Sequence, residues 1–173
     1  MRSLVSVGIL LLAVALRPVR AQDRASWLPP GPALGITVDR FEFGDDFRQT
    51  AATIHVSSLK PNTLTPEFAA SIFPRAIASR ILFTNLDVGA ALNVPMPGAT
   101  LLARGGASGL FILSGSGANA LGGVHFGASV LIKLEGRSGI RLDLVYRLYF
   151  TPYDQATGAV TLGLGITSLP AIR

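Results

Sequence analysis

Apolar and polar positions alternate along most of this chain. Over residues 140–150, Ile140, Leu142, Leu144, Tyr146, Leu148 and Phe150 fall on one face and Arg141, Asp143, Val145, Arg147 and Tyr149 on the other. A strict period of two is that of a β-strand with unlike faces. The stretch 159–168 repeats it, with Val160, Leu162, Leu164 and Ile166 against Thr161, Gly163, Gly165 and Thr167. So does 122–133, with Val124, Phe126, Ala128, Val130 and Ile132 against His125, Gly127, Ser129 and Lys133. Upstream, strands are predicted over 33–43, 48–58, 81–94 and a Gly-rich 99–113. The first of these loses phase near Arg40, which marks a bulge or the strand's outer end. Residues 63–73 are ambiguous. Thr65-Pro66-Glu67 has the form of a helix start, yet Phe68, Ala70 and Ile72 alternate. A strand is favoured there because it completes an even set of eight.

The eight segments run to roughly ten to fourteen residues, whereas soluble strands usually have about five or six and a tilted membrane-crossing strand about nine to eleven. Connections after strands two, four and six are tight (LKPN, PMPG, GRSG). Those after three, five and seven are longer, 114–121 being a Ser/Gly/Asn loop. That asymmetry is expected of a transmembrane barrel with both termini on one side. Phe41, Phe43, Phe47, Phe73, Phe83, Phe111, Tyr149, Phe150 and Tyr153 all fall near the long-loop end, where a girdle at the bilayer interface is expected. The fold class predicted is therefore all-β, an eight-stranded antiparallel up-and-down transmembrane β-barrel.

Composition and charge sharpen this. Residues 1–21 read as a cleaved signal peptide, with Arg2, a short apolar run and Val19-Arg20-Ala21 before the cut. Residues 22–32 then form a periplasmic lead-in, 33–168 the barrel and 169–173 a C-terminal tail. Removing the leader takes away Arg2, Arg17 and Arg20, so the formal charge falls from +5 to about +2. No basic cluster with interleaved aromatics remains, so nucleic acid is excluded as a partner. With no Cys in the chain, disulfides and thiolate metal sites are excluded too.

The chain resembles the OmpA/OmpX-like family of eight-stranded outer-membrane β-barrels. The likeness rests on NLDVGAALNVP (85–95) before a Gly-rich strand, on GIRLDLVYRLYF (139–150) and on the closing TLGLGIT (161–167). It covers residues 33–168 and implies a bacterial outer-membrane location. The partners it implies are outer-membrane lipid and the barrel-assembly machinery, with no extracellular partner specified. The family's last strand usually ends on an aromatic, whereas this chain ends SLPAIR.

A barrel this small is filled by side chains. The inward set under this phase contains Asp39, His55, Glu67, Asp87, Arg104, Lys133, Arg141, Asp143 and Arg147. Both signs are present, and buried charges persist when paired and hydrogen-bonded. A structural ionic network is expected from Asp39, Glu67, Asp87, Arg104, Lys133, Arg141, Asp143 and Arg147, in a protein with a structural or surface-interaction role. The sharper alternative is a narrow polar passage lined by Arg141, Asp143 and Arg147. Arg at Leu144 is expected to block assembly and Ala at Arg147 to leave it largely intact.

Two other functional classes remain. An exported soluble barrel would turn the apolar faces inward to hold a small apolar ligand. A lipid-modifying outer-membrane enzyme would use His55 with Ser57, or His125 with Ser129, but no third residue orients either pair. No metal-ligand spacing, phosphate-cradling loop or nucleotide motif appears. No catalytic residue, cofactor or metal is expected.

Overall fold

The computed structural model describes residues 31–44, 47–96, 99–134, 137–151 and 156–169. The expected signal peptide and most of the lead-in and tail lie outside this set. Eight strands follow one another: β1 (Gly31–Phe43), β2 (Phe47–Leu59), β3 (Leu64–Ile72), β4 (Leu82–Met96), β5 (Ala99–Ser114), β6 (Gly117–Lys133), β7 (Ser138–Phe150) and β8 (Ala156–Ser168). Each pairs antiparallel with its neighbours in sequence order, and β1 pairs with β8 from Leu34↔Ser168 to Phe43↔Ala159. The sheet closes on itself and has no open edge around its girth.

Residues 64–72 form a strand. A single helical turn, α1 (Pro74–Ala78), lies in the connection read as a loop. Proline does not merely stop β3 but opens this turn, since its missing N–H costs nothing at a first helical position. No bulge occurs at Arg40. Register with β2 and β8 is continuous through Phe43, so the change near Arg40 is one of chemistry at the strand's outer end. The stretch read as a loop at 114–121 is mostly strand. Ser114 pairs directly with Gly117, which enters β6 at φ 147, a conformation that favours glycine.

The barrel is polar inside and apolar outside. Thr37, Asp39, Thr53, His55, Ser71, Asn85, Ser129, Arg141, Arg147 and Thr161 are buried. Between them on the same strands, Leu34, Ile36, Val38, Val88, Phe126, Leu162, Leu164 and Ile166 are exposed, Ile166 to 67%. Apolar walls of this kind fit hydrocarbon, and they reverse the arrangement that a soluble barrel with an apolar cavity requires. The alternative of an apolar-ligand carrier fails on this inversion.

Candidate functional site

Three layers fill the lumen. At the end holding the chain termini, Ala33, Leu59, Ala91, Leu102, Leu131 and Leu169 form an apolar floor. Leu169, assigned from sequence to a tail, is folded inward. Its N–H donates to the Arg137 carbonyl (2.7 Å), and its own carbonyl accepts from Arg137 Nε (3.3 Å). At the long-loop end, Phe41, Phe43, Phe73, Phe83, Leu110 and Tyr149 form an aromatic cap. Phe73 meets Phe83 edge-on at 4.4 Å between ring centroids and Phe41 at 4.8 Å, geometries that aromatic pairs prefer.

The cap corrects the expected girdle. Phe41, Phe43, Phe73, Phe83 and Tyr149 point inward, because they keep the odd-numbered phase of the luminal charges on their own strands or begin the next. Phe111 and Phe150 do face outward. Tyr153 and the side chain of Phe47 lie outside what is described.

Between floor and cap lie the charges, in two linked groups. In the first, Glu67 Oε1 accepts from Arg104 Nη1 (3.0 Å) and Arg141 Nη2 (2.6 Å). Arg141 Nε donates to both oxygens of Asp143 (2.9 and 3.1 Å), Arg104 Nη1 donates to Asp143 Oδ1 (3.4 Å), and the Ser129 hydroxyl donates to the same oxygen. In the second, Arg147 holds Asp87 through Nε (3.1 and 3.2 Å) and Nη2 (2.6 Å). Asp87 also accepts from Ser108 (2.6 Å) and from Asn85 Nδ2 (2.9 Å), whose carbonyl oxygen accepts from Tyr149 (2.7 Å). Arg147 Nη1 donates to Thr161, and its guanidinium carbon sits 4.7 Å from the Phe41 ring centroid, joining the ionic layer to the cap.

Seven of the eight residues assigned to the network are buried here: Asp39, Glu67, Asp87, Arg104, Arg141, Asp143 and Arg147. Lys133 is not brought in. It stands half-buried at the end of β6, opposite Gly139, and enters no ion pair among the described residues. Its phase points inward, but it stands at the terminus end of β6, beyond Leu131 of the apolar floor. Asp39 is buried yet meets hydroxyls rather than a cation, accepting from Thr53 Oγ1 at 2.7 Å.

Neither His–Ser pair proposed for catalysis forms. The Ser57 hydroxyl has no hydrogen-bond partner, and Ser129 serves Asp143, Arg104 and Arg141. His55 instead meets Thr37 (2.9 Å) and His125 meets Ser108 (3.1 Å), both behind the cap. Those partners sit on neighbouring strands and were missed because period two relates residues only along one strand.

One feature lies outside the lumen. Gly117–Gly122 of β6 pairs on one side with β5, from Ser114↔Gly117 to Gly109↔Gly122, while pairing with β7 begins only at Gly123↔Tyr149. Above the rim, six residues of β6 therefore have no strand partner on that side among the described residues. It carries no charge and no proline, and all but Leu121 are exposed. Leu121 packs against the aromatic cap and anchors the hairpin.

A closed eight-stranded antiparallel barrel with an apolar exterior is the fold of the small outer-membrane barrel proteins. The chain is similar to the N-terminal β-barrel domain of Pseudomonas aeruginosa OprF, with a TM-score of 0.56 and 11% identity over 80% of this chain and 99% of that one. It is also similar to Neisserial surface protein A (NspA), with a TM-score of 0.56 and 8% identity over 82% of this chain and 97% of that one. At such identities the likeness is one of fold. No protein-family model and no curated protein matches the sequence.

Proposed function

We propose that this is a non-enzymatic barrel of the bacterial outer membrane that acts at the cell surface, presenting the β5–β6 hairpin to an extended segment of a partner protein. The observation that carries the reading is the edge of Gly117–Gly122, which no strand pairs with on its β7 side among the described residues. Folded proteins shield such edges with charge, proline, bulges or a covering element, and this one has none among the described residues. An extended peptide adds to an open edge through main-chain hydrogen bonds. A second copy in the same membrane would run its β6 in the same direction, and two symmetry-related parallel edges do not share one hydrogen-bond pattern.

The ionic layer has a structural role in this reading. It pairs the three guanidiniums with Glu67, Asp87 and Asp143, and the apolar floor and aromatic cap lie on either side of it. Outer-membrane lipid contacts the apolar wall, and the barrel-assembly machinery inserts the chain.

Two measurements test the surface role. The amides of 118–122 that point away from β5 should exchange with solvent far faster than those of 124–132 in the detergent-folded barrel. Displayed peptides selected on that barrel should lose binding when proline replaces Ala118 or Ala120. Equal protection of the two stretches, or selected peptides indifferent to both prolines, would remove the edge from the function.

A further inference from the structure

The luminal layer holds four buried carboxylates (Asp39, Glu67, Asp87 and Asp143) against three guanidiniums (Arg104, Arg141 and Arg147). The carboxylate left over is Asp39, which has no ion-pair partner among the described residues and whose Oδ1 is buried with no hydrogen-bond partner at all. Uncompensated carboxylates out of water are costly, so Asp39 either keeps its proton or takes a positive charge beside it.

The register shows where it would sit. Asp39 on β1 and Asp143 on β7 both lie opposite Gly163 of β8. A Cβ at Gly163 would meet Asp39 Oδ1 and lie 3.3 Å from Asp143 Cβ, so glycine leaves the room in which the two carboxylates approach each other. His55, 1% exposed, reaches the same point from β2. Ligand atoms of Asp39, His55 and Asp143 all lie within 4.8 Å of one another.

The imidazole is set as a ligand. His55 Nε2 stands 3.6 Å from Asp143 Oδ2, too long for a hydrogen bond. Two ligands bound tetrahedrally to one zinc ion at ordinary bond lengths are separated by about 3.4 Å. On the ring's other side, Nδ1 has no hydrogen-bond partner and lies 3.9 Å from Glu67 Oε1. Thr37 Oγ1 hydrogen-bonds Nε2 at 2.9 Å in the metal-free barrel and gives up that bond when the ion is held.

We propose that Asp39, His55 and Asp143 form a buried site for one divalent metal ion of borderline hardness, Zn²⁺ in the first instance, which ties β1, β2 and β7 together inside the lumen. One nitrogen and two carboxylate oxygens suit such an ion. Asp143 keeps its bonds from Arg141 and Arg104 while sharing Oδ2. The guanidiniums nearby weaken the site relative to an all-acidic one, and the surplus carboxylate offsets them. Floor and cap lie on either side of the site, and in this proposal the ion enters as the barrel folds. The proposal concerns the lumen and holds independently of what the surface edge binds.

The chain has no cysteine and only two histidines, both luminal, so a tag-free protein gives a clean test. Urea-denatured chain is refolded into detergent with or without Zn²⁺, washed with EDTA after folding, and its zinc measured by plasma mass spectrometry. The expected result is one zinc per folded chain when the ion is present during folding, and almost none when it is added afterwards. The zinc-loaded barrel should unfold in SDS at a higher temperature than the EDTA-refolded one. Asp39→Asn and His55→Gln should each lower bound zinc about tenfold or more, since losing even an outer partner of a ligand costs about 10–100-fold. His125→Gln should retain it. Each variant's cold-gel shift confirms folding, and if Asp39→Asn does not fold, His55→Gln decides. Zinc well below one per chain, equal zinc in His55→Gln, or loss in His125→Gln alone would overturn the site and mark any bound metal as an adventitious ion only.

Discussion

The two faces of β7 carry opposite chemistries at the same depth. Arg141, Asp143 and Arg147 point into the lumen at 5% exposure or less, while Leu142, half-buried Leu144 and half-buried Leu148 alternate with them on the outer wall. Arginine is stable on the inner face because each guanidinium finds a carboxylate within 3.1 Å. On the outer face no partner exists and hydrocarbon supplies none. The difference teaches that polarity inside this protein is conditional. A luminal charge is tolerated through its partner, and an outer residue is tolerated by being apolar.

The largest effect should come from breaking one side of a luminal pair. Arg147→Ala leaves Asp87 buried and its cation gone, a loss of about 3–5 kcal/mol, read as a lower denaturant midpoint of the folded barrel. The sequence-based expectation was that Arg147→Ala leaves assembly largely intact; the three bonds to Asp87, one to Thr161 and the Phe41 ring add to it a loss of stability in the folded barrel. Asp87→Leu combined with Arg147→Met removes both charges and should recover much of the loss. A double variant as unstable as the summed single changes would refute the pairing account.

Next comes the outer face. Leu144→Arg should cost about 2–4 kcal/mol near the middle of the bilayer and reduce the fraction of heat-modifiable protein in outer membranes. Normal assembly of Leu144→Arg would place that face in water. The smallest effect tests the join between ionic layer and cap. Tyr149→Phe removes the hydroxyl that donates to Asn85 at 2.7 Å and should cost about 1 kcal/mol in the same unfolding assay, with assembly unchanged.

Strand number, order and pairing were legible because a period of two survives along each strand and the short turns fix who follows whom. What alternation alone does not carry is which face looks inward. That direction came from strand length and loop asymmetry, and the burial of Asp39, Asp87, Arg141 and Arg147 follows it. Aromatic positions were legible but not their side. Phe41 and Phe43 continue the phase of Asp39, and the charged outward residues Arg40 and Glu42 masked that continuity; those two pair with each other at 3.1 Å on the outer surface. The β5–β6 hairpin was hidden by Gly, Ser and Asn, residues that serve a turn and a small-residue strand equally well. Lys133 shows the converse, since correct phase does not guarantee reach. The grouping of Asp39, His55 and Asp143 had no sequence signal, because barrel closure, not local spacing, brings β1 and β7 to opposite sides of Gly163.

The most direct test of the central claim, a polar lumen inside an apolar transmembrane wall, is migration on a cold SDS gel. Protein taken from urea-washed outer membranes should run in a compact form unheated and shift on boiling, as a closed barrel resists SDS until its pairings melt. Protein found free in the periplasm with one migration at both temperatures would contradict the account and require the two faces of every strand to be exchanged.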